Sequence, residues 1–246
     1  MSTIDCHVYL EGSILPGINQ SAAQLEELLT IRGIDHAILI STRAVKLDPL
    51  TGNRILKSMI EQTPGLYGCL ATHVNRQDSS VTAVRDLLGS RRFLSVLLTD
   101  DDPARPLHPA ITDEILNSCR RFQKPIYLNT PNAACVLAGM ELAKRYSMHR
   151  FVFLGMGGEN WRDAIEAAHL TSNIFLETSG ALDLVRIPSA IESIGPHRIL
   201  FGSGLPALDP AAALGLLEDS NISASNRRRI LYENAAKLFR LDDLNS

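Results

Sequence analysis

The stretch PIYLNTPNAACVLAGMELAKRYSMHRFVFL, residues 125–154, contains one complete βαβ unit. Pro125 to Asn129 is a short apolar run without alternation, as expected of a strand covered on both faces. Ala133 to Tyr146 carries helical spacing, and Arg150 to Leu154 is a second apolar run. Working outward toward the N-terminus, the same alternation gives strands at Thr3–Leu10, Ala37–Ile40, Leu66–Val74 and Phe93–Leu98. Helices fall between them: one opened by the capping box Ser21-Ala-Ala-Gln24 and ended by Gly33, then Leu50–Gln62, Val81–Leu88 and Ile111–Phe122. Toward the C-terminus come helix Trp161–Leu170, strand Asn173–Glu177, helix Ala181–Ile194, strand Arg198–Phe201 and helix Ala211–Glu218. Eight βα units in 246 residues predict a single-domain (β/α)₈ TIM barrel over residues 1–246, with a C-terminal helix from Asn226 to Leu238 outside the repeat. A doubly wound open sheet is the rival. Its dinucleotide-binding form needs Gly-x-Gly-x-x-Gly after the first strand, and Glu11-Gly-Ser-Ile-Leu-Pro-Gly17 does not supply it.

The composition is that of a globular chain, with 45% hydrophobic and 21% charged residues. Lys+Arg 24 against Asp+Glu 27 leaves a net charge of −3, so no overall basic field points to nucleic acid. Cys6, Cys69, Cys119 and Cys135 lie far apart, without metal-finger spacing, and read as buried free thiols of a reducing compartment. The first residues carry neither a basic segment nor an apolar one, and no apolar run approaches the roughly 18 residues a membrane span requires. A cytoplasmic protein without a membrane partner is expected, with oligomerisation open.

In a (β/α)₈ barrel the chemistry sits at the C-terminal ends of the strands. Those ends read Ile4-Asp-Cys-His-Val-Tyr9, Pro125-Ile-Tyr-Leu-Asn-Thr130, Phe151-Val-Phe-Leu-Gly-Met-Gly-Gly158, Asn173-Ile-Phe-Leu-Glu-Thr-Ser-Gly180 and Arg198-Ile-Leu-Phe-Gly-Ser-Gly-Leu-Pro206. With the closing Arg229-Ile-Leu-Tyr-Glu-Asn-Ala-Ala-Lys-Leu-Phe239, they resemble the amidohydrolase-related branch of the amidohydrolase superfamily almost end to end. The resemblance implies a barrel whose members hydrolyse or decarboxylate small substrates around one divalent metal. It also implies metal ligands at His-x-His on the first strand, a His on the fifth, a His on the sixth and an Asp after Gly-Ser on the eighth. The matching positions here are His7, Tyr9, Asn129, Gly155 and Gly204.

A catalytic zinc site needs about three ligands from His, Cys or carboxylate, and His7 is one. No metal and no other cofactor is therefore expected, and the aspartate that serves the family as general base is missing too. Alternation along the first strand points Cys6 away from His7, and the glycines at 155 and 204 should leave space at the mouth for water, Tyr9 or a ligand. His7 and Glu177 are the candidate catalytic residues. Tyr9, Asn129, Thr130, His73 and Asp100 are candidates for holding a small-molecule ligand at a polar-rimmed mouth, with backbone satisfaction and loop capping as their structural alternatives. Ser203 reads as a turn residue, and Gly157-Gly158 as a strand-to-helix turn able to approach an anion. Two functions remain open. One is a non-catalytic ligand-binding relative, and the other a metal-independent hydrolase of a small carboxylate, lactone or amide.

Overall fold

A computed structural model describes residues 2–10 and 21–241; the segment Glu11–Gly17 lies outside them. Eight strands form one sheet in sequential order: β1 Ile4–Leu10, β2 His36–Ser41, β3 Leu66–His73, β4 Phe93–Thr99, β5 Ile126–Asn129, β6 Phe151–Leu154, β7 Ile174–Glu177 and β8 Ile199–Leu200. All neighbours pair in parallel. β8 is only two residues long, so the chain beyond it completes the closure. Cys6 N–H donates to Phe201 O (2.9 Å), Gly204 N–H to His7 O (2.9 Å) and Tyr9 N–H to Leu205 O (2.7 Å). These bonds turn an open sheet into a (β/α)₈ barrel.

The helices are α1 Ala22–Ile31, α2 Thr42–Lys46, α3 Pro49–Ile60, α4 Gln77–Leu87, α5 Pro109–Cys119, α6 Ala133–Arg145, α7 Trp161–Leu170, α8 Arg186–Ile194, α9 Pro210–Asp219, α10 Ala224–Arg228 and α11 Asn234–Phe239. Local chemistry sets their starts. Ser21 and Gln24 make the reciprocal capping box, while Asp48 and Asn132 accept from backbone N–H groups of α3 and α6. α8 begins later than its apolar spacing predicts. Asp183 Oδ1 accepts from the N–H groups of both Val185 and Arg186, which fixes a turn where the helix was expected to run. A five-residue π-turn over Arg229–Glu233 joins α10 to α11, so the expected C-terminal helix is one run with a widened middle. Among the described residues no helix is long and apolar enough to cross a membrane.

Two hydrophobic layers follow from strand alternation. Leu39, Leu70, Val96, Leu128, Phe153 and Leu176 pack outward against the helices. Ile4, Cys6, Tyr9, Ile40, Cys69, Tyr127 and Leu200 fill the barrel. Each large apolar side chain so buried contributes about 1.5–3 kcal/mol. The inner layer is thereby a mostly apolar plug, with buried Ser95 beside Cys69 and Tyr127 inside it, and it is this packing that fixes the strand ends where chemistry is sought.

Candidate functional site

β1 does not alternate cleanly. Asp5 pairs with Ala37 but Val8 with Leu39, so three residues of β1 span two of β2 and a bulge falls at Cys6-His7. Cys6 lies in the inner cluster with Tyr9. His7 also faces inward, toward the end of β7, which corrects the expectation that Cys6 and His7 point to opposite faces. A bulge re-aims a side chain in this way, and here it delivers an imidazole to Glu177.

Glu177 is fully buried and saturated with donors. Its Oε1 accepts Ser179 N–H (2.6 Å), and its Oε2 accepts Gly155 N–H (3.1 Å) and Ser179 Oγ–H (2.7 Å). His7 Nδ1 lies 3.2 Å from the same Oε2 and 2.9 Å from Ser179 Oγ. Since an ionised carboxylate only accepts, the proton belongs on Nδ1 and Nε2 carries the lone pair; this assignment comes from the hydrogen-bond network. Among the described residues His7 Nε2, which is buried, has no hydrogen-bond partner. The Tyr9 ring stands beside it, centroid to centroid 5.2 Å. Burial, then the nearby Cys69 and Glu177, pushes the Tyr9 phenol up, so it stays neutral.

Glycine makes the arrangement possible. A Cβ on Gly202 would overlap Glu177 Oε1 and sit 3.0 Å from His7 Cβ, so no other residue fits between the two strands at that level. Gly155 (φ 69°) and Gly204 (φ 73°) both turn through left-handed backbone. The space their missing side chains leave is not open: a Cβ there would meet Ser179 O at 3.1 Å and Ser179 Cβ at 3.3 Å respectively. Ser179 rather than Tyr9 or a void occupies the ground beside both positions.

Asp5 forms a second buried polar group behind the first. Its Oδ1 accepts the N–H groups of His7 (3.1 Å) and Ser203 (3.0 Å), and its Oδ2 accepts Ser203 Oγ–H (2.5 Å). Ser203 Oγ also accepts Leu205 N–H (3.1 Å), so this serine ties the closing segment to β1. Burial lifts the Asp5 carboxyl to about 6, against the three hydrogen bonds that lower it and with help from the Glu177 charge.

The remaining candidates fall elsewhere on the rim. Asn129 ends β5 on the face of Tyr127, whose hydroxyl donates to Cys6 O (3.2 Å) across the barrel. Thr130 Oγ1 donates to Leu154 O (3.2 Å). His73 Nδ1 accepts Asn75 N–H (3.1 Å), and its Nε2 lies 3.1 Å from Asp101 Oδ1, outside hydrogen-bond geometry. Asp100 pairs with Arg105 (3.1 Å) and accepts Asp102 N–H (3.2 Å). His7, Glu177 and Tyr9 are thus brought together, while the side chains of His73 and Asp100 meet partners in the loops after β3 and β4. Sequence reasoning missed Ser179 and the part Asp5 plays in tying Ser203 to β1. Ser179 had a signal in its position two residues after Glu177, where a hydroxyl and a backbone N–H can turn back onto the carboxylate. Gly155-Met-Gly-Gly158 runs through positive φ at all four residues and leads into α7, with Arg186 Nη1 donating to Gly158 O (2.8 Å).

Among the described residues no group of three or more His, Cys, Asp or Glu side chains is placed to hold a metal ion. Among the described residues His7 Nε2 offers the free lone pair of this cluster, since Glu177 already accepts from four groups.

Solved structures similar to this chain share the fold. A 2,6-dihydroxybenzoate decarboxylase from Rhizobium superposes with a TM-score of 0.79 at 17% identity, covering 98% of this chain and 99% of its own. A dihydroxybenzoic acid decarboxylase from Polaromonas, with bound manganese and the inhibitor 2-nitroresorcinol, gives 0.75 at 18% identity, covering 98% and 97%. A 5-carboxyvanillate decarboxylase from Sphingomonas paucimobilis gives 0.77 at 12% identity, covering 97% and 99%. No curated protein matches the chain by sequence. The family model described as amidohydrolase matches residues 4–241, nearly the whole chain, and with the barrel and its strand-end motifs this establishes that the chain belongs to the amidohydrolase family.

Proposed function

We propose that the barrel mouth binds a small organic ligand without a metal, and that the chain is a non-catalytic binding relative within its family. The observation that carries this reading is His7 Nε2, buried and unpartnered on a ring whose other nitrogen is fixed by Glu177 and Ser179. Leaving a buried polar atom unpaired costs about 1–3 kcal/mol, and a ligand O–H or N–H donated to Nε2 recovers it. A small hydroxylated carboxylate suits that lone pair and the neutral Tyr9 phenol beside it. Decarboxylases of hydroxylated benzoates among the similar structures support the same class. The donor set does not fit a divalent ion, because one imidazole nitrogen is far from the three ligands such a site requires. Four free buried cysteines support a reducing, cytoplasmic setting.

A second reading has its own support. An imidazole oriented by a buried carboxylate is the arrangement of a general base, which favours a metal-independent hydrolase of a small carboxylate, lactone or amide. One experiment separates the two. Metal-free protein is titrated with 2,6-dihydroxybenzoate and related hydroxybenzoates, and in parallel assayed on esters, lactones and amides. The binding reading expects saturable binding that His7→Ala weakens about tenfold or more, with no turnover. Turnover lowered about a hundredfold by His7→Ala and by Glu177→Gln establishes the hydrolase instead. Turnover that requires added metal overturns both.

A further inference from the structure

The opposite end of the barrel carries a cavity of about 500 Å³, between the N-terminal ends of β5 to β8 and the helix α11. Arg150 before β6, Arg229 in the π-turn, Lys237 in α11 and Arg240 at its end line it, against a single acidic residue among the described ones, Glu233. Glu233 is already engaged by Arg228 at 2.6 Å and stands 4.0 Å from Arg229. Among the described residues Arg150, Lys237 and Arg240 have no ion-pair partner. Among the described residues four cations and one anion thus line one cleft in a chain whose net charge is −3. Phe175 and Leu238 give the same cleft an apolar wall.

Lys237 and Arg240 sit where cations complement a helix C-terminus, and that accounts for their presence on α11. It does not account for Arg150 and Arg229, which come from other elements and aim at the same space. Neighbouring groups feel burial first and the nearby cations second. Burial, then Arg240, holds the Lys124 ammonium below the usual lysine range, and burial with Arg198, Arg229 and Lys237 holds the His197 imidazole down. A cleft of this size is within the range of small-molecule sites, which combine apolar walls with a few convergent polar groups.

We propose that this cleft is a second ligand site, distinct from the barrel mouth, and that it takes a small dianion with a flat apolar body: the acid groups on Arg150, Lys237 and Arg240, the body on Phe175 and Leu238. A phosphate monoester and an aromatic dicarboxylate share that chemistry, and both serve as probes. The full-length protein is titrated by calorimetry with phenyl phosphate, benzene-1,3-dicarboxylate, inorganic phosphate and neutral benzamide, at low and at physiological ionic strength. The expected result is saturable binding of one or both aromatic dianions, at least about tenfold tighter than benzamide and weakened by salt. Arg150→Glu combined with Lys237→Glu should lower that affinity about tenfold or more without changing the circular dichroism spectrum, because both side chains are exposed. His7→Ala should leave it unchanged, which separates this site from the one at the mouth. Binding of neither aromatic dianion, or binding equal in the charge-reversed protein, overturns the proposal. Inorganic phosphate as tight as phenyl phosphate overturns the apolar half of it.

Discussion

Glu177→Gln is the perturbation whose cost the structure specifies best. The carboxylate accepts two backbone N–H groups that cannot rotate away, Ser179 N–H on Oε1 and Gly155 N–H on Oε2. An amide keeps one acceptor oxygen and replaces the other with an NH₂ donor. Whichever way the amide is turned, its NH₂ faces one of those two N–H groups, so one buried backbone donor is left unpaired. If the amide oxygen takes the Oε2 position it still serves Gly155, Ser179 Oγ and His7; if it takes the Oε1 position, all three lose their acceptor. The unpaired N–H costs about 1–3 kcal/mol, and weakening the surviving bonds from charged to neutral acceptor adds about 1 kcal/mol. The sum is about 3 kcal/mol of destabilisation, or about 9 °C in melting temperature for a chain this long. Urea unfolding followed by circular dichroism, with unchanged slope, measures it. A loss under about 1 kcal/mol would refute the reasoning, because it would mean that Glu177 is not the acceptor of both N–H groups.

Asp5 sets a pH dependence with a definite sign: its carboxyl is pushed up to about 6 from the ordinary 3.8, so the folded chain holds a proton that the unfolded chain releases between those values. Stability from this group therefore falls as pH rises from about 4 to 6 and is level above, by about 3 kcal/mol, and Asp5→Asn should remove the fall; parallel melting curves for the two proteins against pH would contradict it. Gly202→Ala, in which the new methyl overlaps Glu177 Oε1, should cost about 2–3 kcal/mol in urea unfolding. Gly215→Ala in α9, where nothing lies within 4 Å, should instead stabilise by about 0.5–1 kcal/mol; equal effects at the two glycines would show that Glu177 has room to move.

The barrel was legible because its strands are apolar runs at regular spacing, and that signal survives errors of a few residues at each boundary. Helix α8 shows where it fails: Ala181 to Ile194 has helical spacing, but the Asp183 side chain competes for the backbone N–H groups of Val185 and Arg186 and delays the start. The pairing of His7 with Glu177 was visible in outline, since both sit at strand ends that a barrel brings together. The bulge that turns both Cys6 and His7 inward was not, because it arises from the register between β1 and β2 and leaves no mark in a single strand. Ser179 was missed for a related reason. It becomes important only when Gly155, Gly202 and Gly204 are read as room made for other side chains, and a glycine in a sequence does not say whose.

The central claim is that the mouth of this barrel works without a metal. Elemental analysis of untagged protein, purified without chelators and compared with His7→Ala, tests it directly. The account predicts far less than one zinc, manganese or iron per chain in both proteins, and a melting temperature that neither added metal nor chelator shifts. One tightly held metal per chain, lost in His7→Ala, would contradict it.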